Sequence, residues 1–551
     1  MITANIASYL PLLAKKQPDT YAVVVQDKNK SKKASYDQAY SYKQLDEVSE
    51  LIANGLQAYG IKKGTRTVVM VKPGLDFFAL VFALFKLEAI LVMVDPGMGI
   101  KNLGKCLQEA EPEAFIGNLK ANTARVILRW AKNTIKKSVL VGGDVITNQF
   151  IASLLEIKSN GIKAKRIEHE TKAEDIAAIL FTSGSTGIPK GVVYTHANFT
   201  AQVQALKTLY DIKPGEIDLA TFPLFALFAP ALGMTSIIPQ MDFTKPGSVD
   251  PTRIIDAVTH YKCTNMFGSP ALLNRVGKWA ENKEIKLASL KRVLSAGAPV
   301  TPVILERYSL LLNNNCQIYT PYGATESLPV SSIGSKEILQ TTAKATAEGK
   351  GVCVGKAVAG LDIRIIKISD DIFSEWSDEL ELPANQIGEI CVNGPQVTRS
   401  YFNRNKQTAL AKIRTKDGFY HRMGDIGYLD WEDRLWFCGR KSHRVVTESE
   451  TMFTICCEAI FNTHPFVFRS ALVAAKKNNK TVPVICIELE KEHKNFNKKE
   501  LIEELLVLAG NSELTKNIEH ILFHKSFPVD IRHNAKIGRE KLAVWATEEL
   551  F

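Results

Sequence analysis

Thr182-Ser183-Gly184-Ser185-Thr186-Gly187-Ile188-Pro189-Lys190-Gly191 follows directly on the apolar run Ala177-Ala178-Ile179-Leu180-Phe181. Glycines let the backbone turn tightly and bring its N–H groups close to an anion. The hydroxyls add donors, and Lys190 adds a mobile positive charge. A strand that ends in such a turn is a phosphate cradle. It is not the Walker loop, because Gly-Lys is not followed by Ser or Thr at the required spacing from the first glycine. A plain surface loop does not account for this order and density of residues.

Outward from this turn, strand-like and helix-like segments alternate. Tyr21 to Gln26 is a β-rich run, and Ser41 with Gln44 three residues on forms a capping box for a helix that Gly60 closes. Thr67 to Val71 predicts a strand, Leu75 to Leu87 a helix and Ile90 to Val94 a strand. The alternation predicts layered α/β architecture. The acidic segment Ser369 to Asn385 reads as a surface excursion before the strand Gly388 to Val392. A boundary is expected near Gly439-Arg440-Lys441-Ser442, past the turn-rich Asp430-Trp431-Glu432-Asp433.

Composition narrows the classes. The 551 residues exceed one ordinary core, so at least two domains are expected. With 46% hydrophobic and 23% charged residues the chain is globular in type rather than disordered. Nine cysteines lack zinc-type CxxC pairs, which favours a reduced, cytoplasmic setting, with Cys456-Cys457 as core thiols. The N-terminus lacks a secretory pattern; Ile6, Tyr9, Leu10 and Leu13 recur at helical spacing instead. The most membrane-like run, Phe77 to Val94, is broken by Lys86 and Glu88 and reads as a buried helix passing into a strand, so no transmembrane anchor is expected. The net charge of +11 comes from dispersed lysines such as Lys15-Lys16, Lys62-Lys63, Lys136-Lys137 and Lys498-Lys499, without interleaved aromatics. Nucleic acid is therefore not expected as a partner, and peripheral contact with an anionic membrane or a multi-enzyme assembly stays open.

The glycine- and hydroxyl-rich turn resembles the phosphate-binding signature of the adenylate-forming superfamily of acyl-CoA synthetases, luciferases and peptide-synthetase adenylation domains. That resemblance implies a carboxylate attacking the α-phosphate of ATP to give an acyl-AMP and pyrophosphate. It implies ATP contacts from Thr182, Ser183, Gly184, Ser185, Thr186, Gly187 and Lys190. Tyr322-Gly323-Ala324-Thr325-Glu326 resembles the family's YGxTE motif, in which the ring stacks near adenine, the threonine contacts the α-phosphate region and the glutamate helps hold Mg²⁺. A hard oxygen ligand such as Glu326 suits magnesium, which takes few protein ligands beside phosphate and water. Ser295-Ala296-Gly297-Ala298-Pro299 is similar to the adenine-flanking segment. Arg422-Met423-Gly424-Asp425-Ile426-Gly427-Tyr428 supplies Asp425 for the ribose hydroxyls, a task suited to an ionised carboxylate, and Arg440 is expected to donate to ribose or phosphate. Lys536, in Arg532-His533-Asn534-Ala535-Lys536-Ile537-Gly538-Arg539, matches the catalytic lysine, with Lys541 as the alternative. Relatives usually have glycine where this chain has Ala535, and more often Asp or Lys where it has Ser442 at the hinge.

The superfamily implies a large N-terminal domain, 1–440, of layered α/β sheets in several subdomains and a small mobile α/β C-terminal domain, 441–551. Phe222-Pro223-Leu224-Phe225-Ala226-Leu227-Phe228 falls where the family builds its acyl pocket, with Phe222, Phe225, Phe228 and Gly268 as expected lining. Each buried methylene of an alkyl chain contributes ~0.8 kcal/mol, so an apolar channel favours a lipid acid. A closer resemblance, carried by Thr221 to Phe228, Phe267-Gly268-Ser269-Pro270-Ala271-Leu272, Trp436 to Lys441 and Phe527 to Leu542, is to the β-lactone synthetases of bacterial long-chain olefin biosynthesis. It implies adenylation of a long-chain β-hydroxy acid, then attack by the substrate's own hydroxyl, expelling AMP. Val445 to Phe453 contains no glycine, whereas a loop lining a CoA tunnel would favour one. A long-chain acyl-CoA ligase is the alternative. A catalytically silent binding protein would dispense with Lys536 or Glu326, and both are present. His196, His421, His443 and His533 are candidates for a proton acceptor by residue type alone.

Overall fold

The computed structural model describes residues 4–26, 38–142, 151–164, 170–182, 189–478, 480–490, 497–529 and 536–551. The phosphate turn from Ser183 to Ile188 and the segment Asp530 to Ala535, with His533, lie outside the described residues. Two large sheets carry the N-terminal part. The first has eight strands and runs from Ser400–Tyr401 through Lys190–Thr195, Ile176–Thr182, Ile90–Val94 and Arg66–Met70 to Ile151–Ser153. Its middle strands are parallel, and Lys190–Thr195 returns antiparallel to Ile176–Thr182. The apolar run from Phe77 becomes the helix Leu75–Lys86, whose residues Phe77 to Phe85 are all buried, followed by the strand Ile90–Val94. Among the described residues no helix is long and apolar enough to cross a membrane.

The second sheet has fourteen strands. At its heart Ile217–Ala220, Asn265–Phe267, Arg292–Leu294 and Gln317–Ala324 run parallel in neighbouring register. Their carboxyl ends release Thr221-Phe222, Gly268-Ser269, Ser295 to Pro299 and the Tyr322 motif on one side. Ligands bind outside the carboxyl ends of parallel strands because the connecting loops diverge there. Gln317–Ala324 then pairs antiparallel with Ser327–Gly334, shifting register between Tyr322 and Ala324. Gly323 sits at that shift, where a Cβ would lie 2.6 Å from the Ser327 carbonyl oxygen, so no other residue fits without moving the hairpin.

Local chemistry explains the helix Tyr42–Tyr59. Ser41 Oγ accepts from Gln44 N at 3.2 Å, Gln44 Oε1 accepts from Ser41 N at 2.9 Å, and Gly60 ends the helix at φ +103°. The acidic segment from Ser369 is less free than its composition implies. Trp376 N donates to the Arg414 carbonyl at 2.8 Å, and the Trp376 and Tyr420 rings lie 4.3 Å apart, pinning it on the sheet.

Beyond Arg440 the chain builds a three-stranded sheet from Val467–Lys477, Lys480–Leu489 and His520–Phe523. The helices Thr454–Phe461 and Lys498–Gly510 bury Phe461, Leu501 and Leu505 in one cluster, and Arg539–Leu550 buries Leu542 and Ala546 in another. This smaller α/β part meets the larger one through Gly439, whose missing side chain leaves room for Thr454: a Cβ would lie 2.5 Å from Thr454 Oγ1. Cys456 and Cys457 are buried thiols.

Candidate active site

A cavity of about 2230 Å³ opens between the two parts, and the motifs converge on it. It is lined by Lys190, by Gly297, Ala298 and Pro299, by Tyr322 through Glu326, by Asp425 and Arg440, and by Lys536 from the C-terminal part. Lys536 immediately precedes Ile537, which bridges Val529, and Gly538 N donates to the Pro528 carbonyl at 2.7 Å. Lys541 is exposed on the helix Arg539–Leu550 and borders the same cavity.

Lys190 begins the strand Lys190–Thr195, against which Ser400–Tyr401 pairs. Its ammonium lies 4.9 Å over the Tyr401 ring, and the Tyr401 hydroxyl donates to Glu326 Oε1 at 2.7 Å. The turn bearing Glu326 is clamped from several sides. Thr398 N and Oγ1 donate to the Glu326 carbonyl at 2.9 and 3.1 Å, and the Tyr194 hydroxyl donates to the Thr325 carbonyl. Burial pushes the Lys190 pKa down, the Glu326 carboxylate pulls it up, and Arg404 and Arg440 lower it further. An ammonium held at such a cost gains from any added negative charge. Tyr401, Tyr194, Thr398 and the half-buried Lys412, pushed down to about 7 by desolvation, carry no motif signal in the sequence.

Asp425 lies in the strand Gly418–Leu429, in register with Arg440 of Leu435–Arg440, and is 2% exposed. Tyr322 donates to its Oδ2 at 2.5 Å, and Arg440 Nη1 stands 2.7 Å from its Oδ1. Burial raises the Asp425 pKa while Arg440 and Tyr322 pull it down. Arg440 is thus engaged with the very carboxylate expected to hold the ribose. Asp425 Oδ1 nevertheless accepts no aligned hydrogen bond among the described residues. A buried, ion-paired oxygen with an unused lone pair fits a pair of ribose hydroxyl donors. Ser295 Oγ, beside the Gly297 turn, is likewise buried without a hydrogen-bond partner among the described residues.

The residues on either side of Arg440 form a second network. Arg422 pairs with Glu389 at 2.6 Å with both side chains almost fully buried, and Lys441 joins Glu389 at 3.2 Å. Lys441 Nζ also donates to the Ser369 carbonyl at 2.8 Å, and Arg444 pairs with Asp370 at 2.7 Å. Across the cleft Arg539 holds the buried Glu458 at 2.7 Å, fixing the helix that follows Lys536.

Of the described candidate histidines only His443 borders the cavity. His196 is fully buried and pushed down to about 4 by burial, and His421, also buried, lies well below its usual range with Nδ1 3.1 Å from the Ala411 carbonyl. His443 is held near 4, by burial first and Arg539 second, with Glu540 3.4 Å away.

At the other end Phe222, Phe225 and Phe228 line the cavity with Phe267, whose ring stacks on Phe225 at 4.7 Å and lies 5.8 Å from Phe222. Gly268 departs from the expected lining. Its neighbours Phe267 and Ser269 border the cavity, while a Cβ on Gly268 would meet Leu273 and Met266 at 2.8 and 3.3 Å. Behind the aromatics a small apolar chamber ends on Asp218, Asn265 and Gln202. Asp218 is buried, hydrogen-bonded to Asn265, and pushed up to about 7 by burial.

A phosphate-cradle strand, a clamped acidic turn, a buried carboxylate–arginine pair and a lysine from a second part facing one cleft are the parts of an enzyme that activates acids with ATP. The profile of the AMP-binding enzyme family matches residues 13–402, and the chain belongs to this family of adenylate-forming enzymes. More particularly, it is 46% identical over 551 residues to the olefin β-lactone synthetase of Xanthomonas campestris pv. campestris, covering 99% of this chain and 98% of the relative. The olefin β-lactone synthetase of Stenotrophomonas maltophilia is 46% identical at the same coverage. The long-chain-fatty-acid–CoA ligase of Escherichia coli O6:H1 is 24% identical, over 86% of this chain and 84% of its own. Among solved structures, the amide bond synthetase McbA of Marinactinospora thermotolerans superposes with a TM-score of 0.77 at 18% identity, covering 98% of this chain and 99% of its own. ATP-bound MatB of Rhodopseudomonas palustris gives 0.78 at 17%, over all of both chains. Both likenesses show the fold.

Proposed function

We propose that this enzyme adenylates a long-chain β-hydroxy acid with ATP and closes the product to a β-lactone, releasing pyrophosphate and then AMP. The observation that carries this reading is the 46% identity, end to end, with two olefin β-lactone synthetases, against 24% for the acyl-CoA ligase. The apolar cavity end at Phe222, Phe225 and Phe228 supports a lipid acid. Val445–Val446 and Thr451–Met452 form a tight hairpin closed by Thr447 and Glu450, and neither strand lines the cavity. That supports an acceptor already on the substrate, which enters at high effective concentration and needs no thiol passage.

In this reading residues 1–440 and 441–551 act as the two domains, moving about the hinge at Lys441 and Ser442. Asp425 and Tyr322 hold ribose and adenine, and Ser295 to Pro299 flank the base. Thr182, Lys190 and the turn from Ser183 to Gly187 take the phosphates, with Thr325 beside the α-phosphate. One carboxylate oxygen of the acid bonds the α-phosphorus as the bond to pyrophosphate breaks. Lys536 and Lys190 stabilise the charge that collects on the phosphoryl oxygens. Glu326, a single hard carboxylate, fits Mg²⁺, which would neutralise phosphate charge when bound. In the second half the β-hydroxyl oxygen bonds the carbonyl carbon, the bond from that carbon to the phosphate oxygen breaks, AMP leaves, and the hydroxyl proton is released to water. Nine free, buried cysteines support a reducing, cytoplasmic setting.

The test is mass spectrometry of products from a synthetic long-chain β-hydroxy acid, with and without CoA. The expected result is a lactone and AMP in the absence of thiol. AMP release that requires stoichiometric CoA, with a thioester as product, would replace this reading by the ligase.

A further inference from the structure

The helix Leu119–Ile127 packs only the small Ala121 and Ala124 on the apolar cluster beneath it and turns its larger aliphatics outward. Its buried face carries Asn122, which donates to the Gly117 carbonyl at 2.8 Å, and a half-buried Arg125 whose guanidinium lies 5.5 Å over the Phe115 ring. Its outer face carries Leu119, Val126 and Ile127, at 57%, 59% and 71% exposure, and the exposed Leu128 follows. An ordinary surface helix turns its aliphatic stripe inward, because exposing one forfeits its burial free energy. Ile100, at the start of the neighbouring helix Ile100–Ala110, is 66% exposed as well. Clustered exposed aliphatics on one face mark a contact surface.

The charge on the segment that carries this helix has one sign. From Ala114 to Lys137 the sequence contains Lys120, Arg125, Arg129, Lys132, Lys136 and Lys137 and no Asp or Glu. Lys120, Arg129, Lys132 and Lys136 are exposed, as are Lys101 and Lys105 on the helix that Ile100 begins. The third observation is continuity with the active site. Ile100, Lys120 and Leu128 border the same cavity that Lys190 and Glu326 line, with Met98, Leu103 and Ala124 beneath them.

We propose that this face docks on the surface of an anionic lipid bilayer. Leu119, Val126 and Ile127 enter the acyl boundary, the basic side chains meet the head groups, and the acid passes from the bilayer into the cavity between Ile100 and Leu128. Only the last step rests on the lipid-acid reading above. Aliphatic tips ringed by long lysines match an interfacial helix, whereas the centre of a protein interface is depleted of lysine. An acid with a long alkyl tail also partitions into bilayers, so a mouth that opens at the membrane spares its transfer through water.

The test is co-sedimentation of the full chain with vesicles of phosphatidylcholine alone and of phosphatidylcholine with phosphatidylglycerol. The expected result is binding to the anionic vesicles, weakened by salt as exposed charges are screened. The double variant V126E/I127E is expected to lose binding about tenfold or more, with unchanged thermal stability and unchanged turnover of a short, water-soluble acid. R129E/K132E is expected to lose the preference for anionic lipid. Equal, weak binding of the unaltered enzyme to both vesicles would overturn the proposal. So would binding that survives both double variants, or a dimer that V126E/I127E dissolves in an enzyme that ignores vesicles, which would make this face an interface between copies. Pyrophosphate exchange with the short acid reads the catalytic proposal separately: its loss with intact vesicle binding leaves the docking surface standing.

Discussion

The polar and the aromatic ends of the cavity are assembled by opposite means. At the polar end side chains hold one another: Tyr322 and Arg440 on Asp425, Tyr401 on Glu326, and Lys190 over Tyr401. At the aromatic end Phe222, Phe225 and Phe267 meet through ring faces and edges, with no hydrogen bond to set an angle. The polar end is therefore a preorganised arrangement in which one misplaced group disturbs the rest. Ring packing tolerates changes of volume and answers in selectivity instead. In the proposed reading one end governs the reaction, and the other the choice of acid.

That contrast can be broken most sharply at Lys536. Lys536→Ala is expected to lower acid-dependent pyrophosphate exchange by about 100-fold or more, the scale of losing one charge-stabilising donor, with a smaller change in ATP affinity. Unchanged exchange would remove the lysine from the polar end altogether. A smaller effect is expected from Phe228→Ala, measured as kcat/KM across acids of increasing length. Activity should fall about fourfold for each methylene of the acid that the missing ring no longer shields from water. The optimum should move toward longer chains while pyrophosphate exchange with the best acid persists. A uniform loss at every length would mean that the aromatic end also orients the carboxylate.

The smallest effect is expected behind the aromatics, at Asp218. Its folded pKa, about 7, lies above the ordinary 3.8 because burial disfavours the carboxylate. The folded chain therefore keeps a proton between these values that the unfolded chain has released. Stability is full below about pH 4 and declines as pH rises through 7. Asp218→Asn removes the titrating group, so its melting temperature should gain on the unaltered enzyme by about 2–4 °C between pH 5 and pH 8. A gain of equal size at both pH values would show that packing, not ionisation, is responsible.

Much of this architecture was legible one segment at a time. The capping box at Ser41 and Gln44, the closing Gly60, and the buried helix and strand from Phe77 to Val94 all follow from turn chemistry and apolar periodicity, which act within a few residues. The motif order also placed Lys190, Glu326, Asp425, Arg440 and Lys536 around one cleft. Less was legible where the decisive neighbour is remote. Tyr401 reaches Glu326 from seventy-five residues away, through a two-residue strand on Lys190's edge that no periodicity announces. Gly268 reads as cavity lining because its neighbours are, yet the backbone turns it toward Leu273. The acidic run at Ser369 reads as solvent-facing, yet its carbonyls and Asp370 hold Lys441 and Arg444 at the hinge.

From residue order alone follow the alternation of helices and strands and the chemical groups available for phosphate, ribose and acid. Folding in three dimensions settled the rest: that Arg440 leans on Asp425, that burial holds His196 and His421 below their usual range, and that Leu119, Val126 and Ile127 lie exposed. The division has a physical cause. Propensity and turn geometry are short-range, whereas desolvation and Coulomb pairing depend on which distant segments the sheets bring within a few ångströms.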